Sequence, residues 1–356
     1  MSTGSFEYFS EDYSAARRRF LAAGHALGAD LSQLRLGLTA PDNSPLSIDV
    51  AWLGTTSPAR VLIHSSGLHG VEGFAGSAIQ LALMDQSSWI PSDGAVLFVH
   101  TLNPFGMAWF RRFNENNVDL NRNFHAPGEE RPITSDAYRR LETFLNPRSP
   151  PSIDFFYARA AYYVLRYGLG RLKQALAEGQ YEFPNGLFFG GTQLEKGPAL
   201  YQSWLASQLK SIERGFAIDV HTGLGKLGQE SLFLRRAPPA NDSRLAERLG
   251  RHLASDATEE GVGYGVHGGY AHCFDALPRR VRMHVVTQEF GTYPSLQVLH
   301  ALREENRWQH YGDGAITHPA KLRLKEVFAP VESAWRGTVI EHGVSLGKAV
   351  MGYLFQ

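Results

Sequence analysis

One cysteine, Cys273, stands in the whole chain, so a disulfide framework and a zinc site built on several cysteines are both excluded within it. Charge of neither sign is in excess. Lys+Arg and Asp+Glu number 35 each, which gives no electrostatic reason to expect nucleic acid or an anionic membrane as a partner. No stretch approaches the roughly 18–20 uninterrupted apolar residues of a membrane span. Met1 to Tyr13 is polar and acidic and lacks the apolar segment of a signal peptide. The expectation is a soluble, cytoplasmic globular protein. Internal repeats, low-complexity tracts and clear linkers are also missing, so one domain over 1–356 is expected. The 43% of hydrophobic residues is ample for a large core.

What is present is an alternation of two kinds of text. Ser47 to Leu53 roughly alternates polar and apolar residues, as a half-buried strand does. The runs Arg60–His64, Ala95–His100, Phe216–Val220 and Arg282–Val286 are aliphatic and β-branched with little alternation, the pattern of central strands covered on both faces. Helical patterns occupy 14–27, 76–84, 200–212 and 243–254. Strands alternating with helices predict an α/β fold: a mixed, mostly parallel central sheet with helices on both faces. From about 127 to 184 the chain turns rich in Tyr, Arg, Ala and Pro, with helical stretches at 135–145 and 153–178; this reads as a helical insertion. A C-terminal helix is expected over about 332–354, with a break near Gly343 or Gly347.

Four polar segments follow the apolar runs: His64 to Gly73, Asn103 to Phe124, Asp219 to Gly223, and Thr287 to Gly291. In open α/β sheets, ligands bind where loops leave the carboxyl ends of strands. Taken singly, each segment has a plain structural reading. His64 and His100 read as hydrogen-bonded structural residues, Asp219-x-His221 as an ordinary turn, and Asn121-Arg122 as a structural pair. Together they fit one chemical scheme. Two histidines and a glutamate are a standard catalytic zinc set, and His69, Glu72 and His221 supply it. Glu289 is then a spare carboxylate able to take a proton from water. Arg112 or Arg111 would polarise a scissile carbonyl. Arg122, beside Asn121, would grip a substrate carboxylate. Asp119 would accept the second N–H of a ligating histidine.

Other motifs carry less. Gly223-x-Gly225-x-x-Gly228 matches a dinucleotide fingerprint, but extended text follows where a helix is required. Ser65-Ser66-Gly67 lacks the leading glycine of a serine-hydrolase elbow. Cys273 reads as a small buried hydrophobe.

His69-x-x-Glu72, Asn103-Pro-x-Gly106, Asp119-Leu-Asn-Arg-Asn-Phe124, His221 and Thr287-x-Glu289 occur in an order that resembles the zinc carboxypeptidase superfamily. The wider text, including Phe183 to Gly191 and Ala334-Trp-Arg336, is similar to a bacterial branch of unknown function within it, from about residue 45 onward. The resemblance implies one zinc ion on His69, Glu72 and His221, with Glu289 as general base and Arg112 as the carbonyl-polarising arginine. It implies Asn121 and Arg122 as a carboxylate clamp and a mobile tyrosine, for which Tyr264 and Tyr270 are the candidates. The specificity pocket is not legible. The implied activity is hydrolysis of an amide in a small peptide or N-acyl amino acid. A deacylase or esterase on a non-peptide substrate is the alternative within enzymes. A non-catalytic binding protein of the same fold would be expected to lack the base or a ligand, and this chain keeps them all.

Overall fold

The computed structural model describes residues 5–86, 93–125, 128–236, 245–254, 267–278 and 280–355. The chain opens with α1 (Tyr13–Ala26), β1 (Asp30–Thr39), β2 (Pro45–Gly54), β3 (Arg60–Ser66), α2 (Gly73–Asp85), β4 (Ala95–His100) and α3 (Pro104–Ala108). Its middle holds α4 (Asp136–Leu145), α5 (Phe156–Tyr167), α6 (Leu169–Glu178), α7 (Lys196–Gln208), β5 (Arg214–Thr222) and β6 (Glu230–Arg236). It closes with α8 (Leu245–Leu249), β7 (Leu253–Ala254), β8 (Arg282–Phe290), α9 (Ser295–Tyr311), α10 (Pro319–Phe328) and α11 (Ser333–Phe355).

The strands form one sheet in the order β1-β2-β4-β3-β5-β8-β6-β7. Its centre, β4-β3-β5-β8, is parallel throughout, while β1, β2 and β6 join antiparallel. This is the mixed, mostly parallel sheet expected from the sequence. Period two along β3 shows why its run is apolar without alternation. Leu62 packs with Ile79 and Leu83 of α2 and with α11, while Val61 and Ile63 pack on the other face with Tyr201 and Leu205 of α7.

Several expectations change. β2 is buried from Leu46 to Leu53 rather than on one face. Its polar residues are paired instead of solvated: Asp49 accepts from Arg17 Nε at 2.7 Å and from Ser47 Oγ at 2.9 Å. The helix expected over 153–178 is two helices, α5 and α6, divided at Gly168. Of the helix expected over 243–254, residues 243 and 244 lie outside the described residues, and the rest is α8 followed by the short β7. The C-terminal helix runs unbroken through both glycines. A Cβ on Gly343 would stand 2.5 Å from Ile79, so the glycine lets α11 lie close on α2. The helices α4, α5 and α6 pack with α9 and α10 around Phe144, Phe156, Leu302 and Leu324.

His64 and His100 are fully buried, yet neither ring makes a hydrogen bond among the described residues. The expected hydrogen-bonded role is therefore replaced by packing; His100 stacks on Phe20 at 4.9 Å between centroids. Burial pushes His64 down to about 4 and His100 down to about 3. Each folded value lies below the ordinary imidazole value near 6.5. The unfolded chain therefore takes up protons that the folded one refuses, and stability falls as pH drops from about 6.5 toward 3. At about 1.36 kcal/mol per unit, His100 alone removes ~3 kcal/mol by pH 4. Urea midpoints at pH 7 and pH 4 should therefore diverge less for His100→Phe than for the parent chain.

Candidate metal centre

Strand β3 ends at Ser66, and His69 caps a short turn, Gly70–Glu72, that runs directly into α2. The turn is pressed against the Asn103-Pro-x-Gly106 loop so closely that a Cβ on Gly70 would lie 2.2 Å from the Gly106 backbone. Asn103 Oδ1 accepts the Gly106 N–H at 2.8 Å, and its Nδ2 donates to the Arg112 carbonyl at 3.2 Å. The Val71 and Gly70 N–H groups donate to the carbonyls of Arg111 and Arg112. The histidine turn and the arginine segment are thus fastened to each other backbone to backbone.

His221 and Glu289 lie inside strands rather than on loops beyond them. Each is the penultimate residue of its strand, β5 and β8, and the two are register partners. The central parallel strands carry His221 to the same sheet edge as His69 and Glu72. His69 Nδ1 stands 3.0 Å from Glu72 Oε1 and 3.1 Å from His221 Nδ1, and His221 Nδ1 stands 3.2 Å from Glu72 Oε2. All three residues are buried, and they form one group able to hold a metal ion.

The far nitrogens explain the near ones. His221 Nε2 meets Asp219 Oδ2 at 2.6 Å, and His69 Nε2 meets Asp119 Oδ1 at 3.0 Å. Arg112 Nη2 also approaches His69 Nε2, at 2.8 Å. An arginine has no acceptor, so His69 Nε2 either donates to Asp119 or accepts from Arg112. Asp119 is held well below the usual carboxylate range; burial opposes this, but Arg112, His69 and Arg122 outweigh it. An ionised Asp119 favours donation, which leaves a lone pair on Nδ1. Donors at 2.0–2.1 Å from a tetrahedral ion are about 3.3 Å apart, close to the three separations here. The donor set therefore fits a zinc-like divalent ion.

The charges agree with a buried cationic centre. Glu72 is held below its ordinary value, His69, His221 and Arg112 overcoming the effect of burial. His221 is raised to about 10: burial pulls it down, but Asp219 and Glu72 pull it up further. Glu289 is pushed up to about 7 by burial and by the nearby Glu72, while its Oε1 accepts the Leu224 N–H at 2.9 Å.

A family profile described as Protein of unknown function (DUF2817) matches residues 9–342. The chain belongs to the DUF2817 family. No protein of curated function matches it significantly in sequence. Among solved structures, bovine thrombin-activatable fibrinolysis inhibitor, in complex with tick carboxypeptidase inhibitor, is 10% identical, with 98% of this chain and 99% of that chain covered and a TM-score of 0.46. Carboxypeptidase A from Helicoverpa armigera is 14% identical, covering 90% and 75%, with a TM-score of 0.45. Murein-tripeptide amidase MpaA from Escherichia coli O157 is 18% identical, covering 78% and 92%, with a TM-score of 0.39.

In this DUF2817 chain the two adjacent arginines face opposite ways. Arg112 Nη1 lies 2.8 Å from Glu72 Oε1, its Nε lies 3.3 Å from Asp119 Oδ2, and its guanidinium sits 5.7 Å from the centre of the Phe188 ring. Arg111 turns away from the centre and binds Glu305 at 2.9 Å and Asn117 at 2.8 Å. Arg122 is buried near the centre, 3.9 Å from Asp119 Oδ1, and its Nε has no hydrogen-bond partner among the described residues. Asn121 Oδ1 accepts the Tyr270 N–H at 3.0 Å. Tyr270 itself is buried in the core with its hydroxyl 3.0 Å from that of Tyr201, so it is not presented to the metal group. Tyr264 lies outside the described residues. Cys273 is buried, and burial raises its thiol. The glycines after His221 lead into strand β6, as the extended text implied.

Two contributors escaped the sequence reading. Asp219 is more than part of a turn: in a strand, residues two apart share a face, so Asp-x-His was itself a signal that the carboxylate backs the imidazole. The Leu224 amide on Glu289 carried no such signal, because any residue type offers a backbone N–H.

Proposed function

We propose that the protein is a zinc-dependent hydrolase that cleaves an amide bond in a peptide or N-acyl amino acid. The observation that carries this reading is the convergence of His69 Nδ1, His221 Nδ1 and the Glu72 carboxylate, with a further buried carboxylate, Glu289, on the adjoining strand. His69, Glu72 and His221 would hold the ion, which supplies Lewis acidity toward a carbonyl and toward water.

The chain's own groups provide the rest. Glu289, raised to about 7, is suited to take a proton from the attacking water and hand it to the leaving amine. Arg112 offers N–H donors at the edge of the donor group, where an oxyanion develops. Asp119 and Asp219 keep both imidazoles turned toward the centre. Arg122, buried and with an unused Nε, is the group to hold a free substrate carboxylate, assisted by Asn121.

Zinc-loaded protein presented with N-acyl amino acids and short peptides should hydrolyse those with a free C-terminal carboxylate. Amidating that carboxylate is expected to lower kcat/KM by about 10–100-fold, the equivalent of one charge-assisted hydrogen bond. Equal rates on free and amidated forms would remove the Arg122 clamp. Absence of turnover on every amide, with turnover on esters, would move the reading to an esterase or deacylase.

A further inference from the structure

A helix whose opposite faces are both apolar is expected to be covered on both, and α5 is covered on one. Its inner stripe is Phe156, Ala160 and Tyr163, spaced i, i+4 and i+7. Phe156 and Ala160 are buried, and Tyr163 packs against the core that α5 shares with α9 and α10. Its outer stripe is Ala158, Ala161, Tyr162 and Leu165, spaced i, i+3, i+4 and i+7, and all four are exposed. Neither stripe carries a charge. The same character continues past both ends of the helix. Of the twelve large hydrophobic side chains exposed among the described residues, six fall between Ile153 and Leu169. Apolar exposure gathered in this way marks an interaction surface, whereas single exposed leucines elsewhere need no explanation.

The form of the patch fits a flat, soft partner. Ile153 is 94% exposed and Leu165 88%, so neither stands against a wall. A groove that receives a peptide or a helix would cover part of each residue that lines it. Here the side chains project from a convex helix surface, as do those that enter the boundary layer of a bilayer. Tyr157 and Tyr162 are exposed as well, and a tyrosine ring suits a boundary with one apolar and one wet side.

Charge selects the kind of surface. Lys+Arg and Asp+Glu balance over the whole chain, but the balance fails locally. Between Asp154 and Glu178 the sequence holds Arg159, Arg166, Arg171 and Lys173 and no acidic residue. Arg159 is partly engaged, 3.9 Å from Asp154 and 5.3 Å from the centre of the Phe144 ring. Arg166, Arg171 and Lys173 are not paired with a carboxylate among the described residues. A second copy seated on this face about a twofold axis would set one basic rim against another. An anionic lipid surface meets the same rim with opposite charge.

We propose that α5 and the start of α6 dock the protein on an anionic phospholipid surface. Tyr162, Leu165 and Leu169 enter the headgroup layer, while Arg166, Arg171 and Lys173 meet lipid phosphates. The attachment is peripheral, because the 12 residues of α5 are too few to cross a bilayer.

The test sediments the full-length protein with sucrose-loaded vesicles of phosphatidylglycerol and phosphatidylcholine in equal parts, and with vesicles of phosphatidylcholine alone. Binding to the mixed vesicles at low salt is expected to exceed binding to the neutral ones by more than about tenfold, and to weaken as salt is raised. Arg166→Ser combined with Arg171→Ser should weaken it by about 25-fold, at roughly fivefold per basic residue. Tyr162→Ser combined with Leu165→Ser should weaken it by about 10–100-fold. Thermal melts identify a double variant that fails to fold, and the other then decides. No binding to mixed vesicles, equal binding to both compositions, or binding unchanged in a folded double variant would overturn the proposal. So would a dimer of the parent, seen in sedimentation equilibrium without vesicle binding and dissociated by Tyr162→Ser with Leu165→Ser, which gives the face to a second copy.

Discussion

Glu289→Gln is expected to lower kcat by about 10²–10⁴-fold, the usual contribution of a positioned general base, while zinc content stays at the parent level. Glutamine matches glutamate in shape and its carbonyl oxygen can still accept the Leu224 N–H, so the local structure should persist. What it cannot do at neutral pH is take up a proton. Glu289 is not one of the three converging donors, which is why the metal should remain. Kinetics paired with metal analysis separate the outcomes. A variant that keeps full turnover places the base elsewhere, and one that loses its metal makes Glu289 a ligand.

His69→Ala should abolish stoichiometric zinc binding, because two donors cannot replace three at a site that also needs an open position. Asp219→Asn should act more gently. It leaves the Nδ1 donor of His221 in place but weakens the partner 2.6 Å behind its Nε2, a change that typically costs about 10–100-fold in affinity. Chelation offers a parallel measurement. An ion that binds only the folded chain stabilises it, so a chelator should lower the Tm of the parent protein and leave that of His69→Ala unmoved. A competing explanation of the geometry is a protonated His221 bridging Glu72 and Asp219, since its pKa is raised to about 10. Under that explanation neither protein responds to the chelator and the parent holds no metal.

The parts of the fold that were legible are those where burial leaves an apolar imprint. Strands β3, β4, β5 and β8 are covered on both faces, and their runs of aliphatic residues say so. The helices that went unread, α9 and α10, bury charge alongside apolar residues. Arg303, Glu305 and Arg307 of α9 and Lys321 of α10 are all buried. Lys321 Nζ reaches Glu305 at 2.6 Å, and Arg111 reaches the same carboxylate oxygen at 2.9 Å. In α9 these charges are interleaved with Val298, Ala301 and Leu302, which dilutes the apolar periodicity, while α10 buries Ala320, Leu324, Val327 and Phe328 beside its one buried lysine. Strand β1 went unread for another reason: it lies at the edge of the sheet and is only partly buried, so its imprint is faint.

By itself the sequence determined the inventory. It provided two histidines and two glutamates at strand ends, an Asp-Leu-Asn-Arg turn and the mixed sheet that would bring them to one edge. Spacing suffices for this, because backbone periodicity converts residue number into face and end. Tertiary structure alone decided direction and partnership. It turned Arg112 to Glu72 and Arg111 to Glu305, though the two are neighbours in sequence. It withdrew Tyr270 into the core and set Asp219 behind His221. In loops the direction of a side chain follows local dihedrals and partners that lie far away in the chain, and neither is written in the spacing of the residues that carry the chemistry.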